Sequence, residues 1–164
     1  IRSDDPVIYF EHKKLFSMKG EVPEGELLVP IGKAKVAKEG TDLTIVSYSF
    51  YMTNVLKAAA QLDKEGIHVE CIDLRTISPL DMDTIYESLK KTKKLMIVHE
   101  AVKQGGVGAE VAARTAEEMI DYLDAPIVRL GAPFVPIPYT PPLERLVKIE
   151  PEDIIKAVKE MLGR

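Results

Sequence analysis

His99 and Glu100 close the apolar run LMIV (95–98), and the cluster Gly105-Gly106-Val107-Gly108 follows shortly after. A strand that passes through a glycine turn into a helix is where α/β proteins hold phosphates. A histidine beside a carboxylate could act as a general acid or base. Each possibility has a plainer competitor. A dinucleotide fingerprint needs a third glycine, but Ala109-Glu110-Val111 follows Gly108, and Glu110 would set a carboxylate in the first helical turn, where it repels a phosphate. No Gly-Lys-Ser/Thr follows either. Close helix–strand packing is therefore the favoured reading of Gly105, Gly106 and Gly108. Neighbouring residues on a strand point to opposite faces, so His99 and Glu100 need not touch, and a polar strand end or an interface contact is favoured over catalysis.

The second constellation is IDLRTISPLD (72–81), which places Asp73 and Arg75 two apart on one face at a strand end. The guanidinium fork of Arg75 suits an anion, although an ion pair tying strand to loop is the simpler expectation. Asp81 and Asp83 lie where helix capping is expected rather than metal binding. No His/Cys group has metal-ligand spacing, no G-x-S-x-G elbow is present, and His12 and His68 have no constellation around them. Cys71 lies in a strand-like run and reads as buried and inert; a lone cysteine fits a reducing compartment.

These residues need elements to position them, and the patterning supplies them. PVIYF (6–10) reads as a strand, and residues 17 to 30 have linker composition. Strands and helices then alternate. GKAKVAK (32–38) has lysines on one face, as an edge strand does. DLTIVSYS (42–49) is a buried strand. A helix follows with Met52, Val55, Leu56, Ala59 and Leu62 inward, closed by Gly66. HVECIDL (68–74) is the next strand. The helix after it is capped by Asp81 and buries Met82, Ile85 and Leu89. LMIV and PIVRL (126–130) are strands, and between them a helix runs to about Leu123 with Val107, Val111, Met119, Tyr122 and Leu123 inward. Five prolines in 131–143 exclude regular structure. Pro151 opens a last helix with Ile154, Ile155, Val158, Met161 and Leu162 on its apolar face. Strands separated by helices imply right-handed crossovers. The expected fold is α/β: a three-layer αβα sandwich around a mostly parallel five-stranded sheet. The link EGTD after the edge strand is too short for a parallel crossover, so that strand is expected to be antiparallel.

At 164 residues, 46% hydrophobic and 29% charged, the chain can bury one sizeable core. A net charge of −4 argues against nucleic acid; the lysines at 33, 35 and 38 read as a solvated edge and those at 90, 91, 93 and 94 as a solvated helix end. No apolar run approaches the ~20 residues that span a bilayer, and no signal peptide is visible. Ile1 in first place predicts that the chain begins inside a longer one.

Several stretches, in order, resemble a known family: EGTDLTIVSYS, CIDLRTISPLD, IVHEAVKQGGVGAEVAAR, LDAPIVRLGAPFVPIPYTPPLE and EDIIKAVKEML. They are similar to the β subunit of thiamine-diphosphate-dependent 2-oxo acid dehydrogenases, the E1 components of pyruvate, branched-chain 2-oxo acid and acetoin dehydrogenase complexes. The resemblance implies that residues 1–26 are the end of a pyrimidine-binding domain plus linker, and that 27–164 are a transketolase C-terminal domain. It implies a β subunit about twice this long, whose amino-terminal half supplies the glutamate that activates the cofactor, while the α subunit supplies the diphosphate and magnesium site. No thiamine diphosphate or Mg is then expected on this chain, and alone it is expected to be inactive. The implied partners are an E1 α subunit, a second E1 β subunit and the E2 subunit-binding domain. The last is basic, which makes Asp124 and the C-terminus its candidate contacts, although Asp124 could simply close a helix before Pro126. The implied location is the cytoplasm, or the mitochondrial matrix in a eukaryote. One departure stands out: Phe134 in GAPFVP replaces an aspartate common in the family and puts the subfamily in question. Looser alternatives are the C-terminal part of a transketolase or deoxyxylulose-phosphate synthase, or a regulatory α/β domain binding a small molecule through Arg75, His99 and Glu100.

Overall fold

The computed structural model describes residues 2–164; Ile1, and the expectation attached to it, lies outside the described residues. Five strands form one sheet: β1 (Lys35–Lys38), β2 (Leu43–Ser47), β3 (Val69–Asp73), β4 (Leu95–Val102) and β5 (Val128–Ala132). Their order is β1-β3-β2-β4-β5, with β1 antiparallel and the rest parallel. Helices α1 (Phe50–Lys64) and α5 (Pro151–Leu162) cover one face; α2 (Met82–Thr92) and α3 (Val107–Met119) cover the other. This is the three-layer α/β sandwich expected from the alternating pattern.

Alternation along β2 and β4 sorts the two cores. Leu43, Ile45, Met96 and Val98 face α1 and α5, whereas Val46, Leu95 and Ile97 face α2 and α3. All five residues of β2 are buried, as the central strand of a doubly covered sheet requires. Helix boundaries follow local chemistry. The Asp81 side chain accepts from Thr84 N–H, and Gly66 turns the chain at φ +74° just beyond α1. Glu150 and Asp153 form a reciprocal capping box behind Pro151. Asn54 Nδ2 donates to the Ile149 carbonyl at 2.9 Å and joins α1 to the start of α5.

Five expectations need correction. PVIYF is not a strand: residues 6–10 lack regular structure and are exposed, with a short 3-10 turn following at Lys13–Ser17. An isolated apolar run has no sheet edge to join here. The edge strand β1 is antiparallel, but it pairs with β3 rather than with its chain neighbour β2, because both edges of β2 are already taken by β3 and β4. The link from β1 to β2 passes over the start of β3, where Thr41 and Asp42 N–H groups donate to the His68 carbonyl. Gly40 crosses so closely that a Cβ would overlap the Val69–Glu70 backbone. Leu56 and Tyr122 are solvent-exposed rather than inward, and Tyr122 belongs to a 3-10 turn after α3. Finally, Pro141 and Pro142 begin a short helix, α4 (Pro141–Arg145), since proline fits the first helical turn.

Candidate functional site

The carboxyl ends of β2 and β4 define the place where the order of the parallel strands reverses, the position at which open α/β sheets commonly bind ligands. His99 lies on β4 here and is fully buried. Its ring is held in a cradle of three glycines. A Cβ on Gly108 would run into the ring, and one on Gly106 or Gly131 would come within 3.1 Å of its Cε1. Tyr48 stacks alongside at 6.3 Å between centroids. Neither ring nitrogen makes a hydrogen bond, and Thr115 Oγ1 is likewise buried without a partner. Burial pushes the His99 pKa down; the Ala101 backbone opposes this and Arg129 adds to it. The imidazole is thus sealed from solvent, and burial favours its uncharged form.

Gly105, Gly106 and Gly108 take their place from this arrangement. Gly105 supplies a turn at φ +68°, and Gly106 caps α3. The bare faces of Gly106 and Gly108 are turned toward His99, and Glu110 stands in the first helical turn. The space that a Cβ on Gly108 would take is filled by the imidazole, and at Gly106 by the Val102 carbonyl and the imidazole edge, whereas Gly105 faces open space.

Glu100 points to the opposite face of the sheet and is exposed. Its Oε2 accepts from His12 Nε2 at 2.9 Å. Sequence reading missed this contact, because 88 positions separate the two residues and no periodicity marks it. His68 also has a partner, Asp63 Oδ1 at 3.0 Å. Asp73 and Arg75 meet otherwise than expected: Arg75 N–H donates to Asp73 Oδ1 at 3.2 Å, with Arg75 at φ +57°, and their side chains form no ion pair. This is a turn held by a carboxylate, not a guanidinium–carboxylate bridge. Burial pushes the Asp73 pKa up, against the pull of the Arg75 N–H and the nearby cations. No hydrogen bond or ion pair joins Arg75, His99 and Glu100 among the described residues.

Asp124 lies at the far, amino-terminal end of the sheet. It donates its backbone N–H to the Lys93 carbonyl, and its carboxylate is 4.0 Å from Lys93 Nζ. It borders a shallow apolar cleft with Ile120, Leu123 and Pro126, and a polar one with Lys94 and Arg164. Phe134 is 73% exposed in the irregular segment after β5.

The family described as "Transketolase, C-terminal domain" matches residues 32–154. The chain belongs to this family. Members of the wider group include the pyruvate dehydrogenase E1 component subunit beta of Gracilaria tenuistipitata var. liui, 44% identical over 99% of this chain and 50% of its own length. The mitochondrial pyruvate dehydrogenase E1 subunit beta of Dictyostelium discoideum is 46% identical over 100% of this chain and 47% of its own. The 2-oxoisovalerate dehydrogenase subunit beta of Bacillus subtilis is 42% identical over 98% and 50%. This transketolase C-terminal domain chain thus spans about half the length of the curated relatives it matches. Among solved structures, a split-gene transketolase in an inactive β4 tetramer superposes with a TM-score of 0.74, at 28% identity, over 88% of this chain and 46% of that one. No helix among the described residues is long and apolar enough to cross a membrane.

Proposed function

We propose that this chain is the C-terminal half of an E1 β subunit in a 2-oxo acid dehydrogenase complex, and that its task is assembly. The boundary with the preceding pyrimidine-binding part then falls near Leu27. The supporting observation is that 42–46% identity to E1 β subunits runs the length of this chain but covers only half of each relative. The imidazole packed against Gly106 and Gly108 agrees with it. Thiamine diphosphate and Mg are held by the α subunit and the other half of β, and the oxidative decarboxylation with acyl transfer to lipoyl-E2 takes place there. Asp73, Arg75, His99, Glu100 and the three glycines shape and stiffen the domain, and Phe134 lies at a subunit contact. The protein works in the cytoplasm, or in the mitochondrial matrix of a eukaryote.

The decisive experiment adds this chain, E1 α and the amino-terminal half of β to thiamine diphosphate, Mg and a 2-oxo acid. Turnover is expected only with all three polypeptides present; robust decarboxylation by the chain alone refutes the division of labour.

Asp124 is the proposed contact for the basic E2 subunit-binding domain. Lys93 already partly neutralises it, so a partner cation gains little there. Asp124→Ala should weaken E2 binding only about threefold, and Lys93→Ala should tighten it; the reverse signs in a titration would move the docking site elsewhere.

The structural match to a split-gene transketolase supports a second reading, the C-terminal part of a transketolase-type enzyme. Co-purification separates the two: E1 α or E2 as companion favours the first, and sugar-phosphate activity with a companion subunit favours the second.

A further inference from the structure

The chain's own lead-in segment touches the sheet where the strand order reverses, through His12 and Lys14. The His12 ring stacks on Phe50 at 5.0 Å between centroids, with 15° between planes. Its Nδ1 accepts from Lys14 N–H at 3.2 Å, so Nε2 is the nitrogen left to donate to Glu100. Lys14 Nζ also sits over the Phe50 ring, 4.9 Å from its centroid. Phe50 opens α1 directly after Ser49, whose φ of +56° turns the chain sharply out of the sheet. Glu100 stands on β4, across the reversal point from Phe50. On either side of this contact the lead-in segment is exposed and makes little use of its apolar residues, such as Tyr9, Phe10 and Phe16. The His12 side chain, by contrast, is only 21% exposed.

We propose that residues 12–14 are a strap in cis. They cover the reversal point of the sheet with the chain's own imidazole, clamp it between Phe50 and Glu100, and so fix the direction from which the preceding part of the polypeptide reaches the domain. The reversal point is closed to a free ligand for as long as the strap is down. The strap and the site are parts of one chain, so its closure needs no partner and depends on no particular catalytic activity.

Trypsin tests this on the 164-residue chain, because Lys13 and Lys14 lie within the strap and become cleavable when it lifts. Cleavage in the fast-reclosing regime follows the population of the open form. His12→Ala, which loses the stack and the hydrogen bond, should speed cleavage after Lys13 and Lys14 about fivefold, and Glu100→Ala, which loses the hydrogen bond alone, about threefold. The double variant should be no faster than the His12→Ala single, since both remove the same bond. Phe50→Leu, which keeps the His12–Glu100 hydrogen bond but removes the stack, should act in the same direction. Cleavage after Lys57, inside α1, reports the integrity of the fold and should not change. His12 lies on an exposed segment outside both cores, so its variant remains folded and the test remains open. Equal rates in all variants, full additivity in the double, or wild-type cleavage as fast as that of a free peptide spanning residues 6–19 would each overturn the strap.

Discussion

His99 shows how a residue that reads as chemistry can be architecture. An imidazole with both nitrogens unpartnered and a pKa pushed down by burial binds a proton less readily in the folded chain than in the unfolded one. The unfolded state binds more protons, so stability is complete above the unfolded pKa of ~6.5 and falls as the pH drops below it. Urea midpoints measured from pH 7.5 to 5 should decline for the wild type and flatten for His99→Gln; parallel curves would deny the effect. The glycine cradle gives a second expectation. Gly108→Ala should cost about 2 kcal/mol by overpacking, despite alanine's better helix propensity. Much of that cost should vanish in a His99→Ala background, because the colliding ring is gone. Sequence reading placed His99 and the glycines together and favoured packing, but it could not say that the glycines pack on the histidine. That contact depends on α3 folding back over β4, and Gly131 joins it from a strand that lies far along the chain.

At the scale of elements, the link between β1 and β2 carries the most specific demand. Gly40 passes over the β3 backbone and also donates its N–H to Glu70 Oε2 at 3.2 Å. Glu70 is buried and paired with Lys91 of α2, and Thr44 Oγ1 lies 2.6 Å from the Ser88 hydroxyl and 2.5 Å from that of Thr92. Gly40→Ala should therefore destabilise by about 3 kcal/mol, because the colliding atoms are main chain and cannot swing aside; a chemical-denaturation shift under 1 kcal/mol (on the order of an ordinary surface change) would contradict the crossing. Burial acts to raise the Glu70 pKa, but the Lys91, Ser88, Glu39 and Gly40 hydrogen bonds outweigh it, and the net direction is down. Its stabilisation is thus present above the unfolded carboxylate value of ~4.3 and is lost as the pH falls through the folded one. Glu70→Gln should remove that acid-range slope and leave the His99 slope at higher pH. Lysines on one face of 32–38 made β1 legible as an edge, and the short link made its direction legible. Its partner was not, since the saturation of β2 is decided by crossovers elsewhere.

For the whole molecule, the unpaired surface matters more than the core. Phe134, Ile137, Tyr139 and Leu146 are each at least 73% exposed in the stretch after β5. Side chains of this kind on an ordered segment mark contact surfaces. We expect sedimentation to show concentration-dependent self-association, and Ile137→Glu with Tyr139→Glu to weaken it about tenfold, as loss of an apolar anchor does. A strictly monomeric wild type would place that surface against a different subunit.

The amino-acid order by itself determined the alternation of strands and helices, most buried stripes, the helix caps and the family, because each is written in spacing or local chemistry a few residues long. The pairing of β1 with β3, the glycine cradle around His99 and the His12–Glu100 clasp were decided only by the tertiary structure. Each joins groups dozens of positions apart, and which of them meet is set by how the crossovers lay the elements side by side rather than by any pattern within one element.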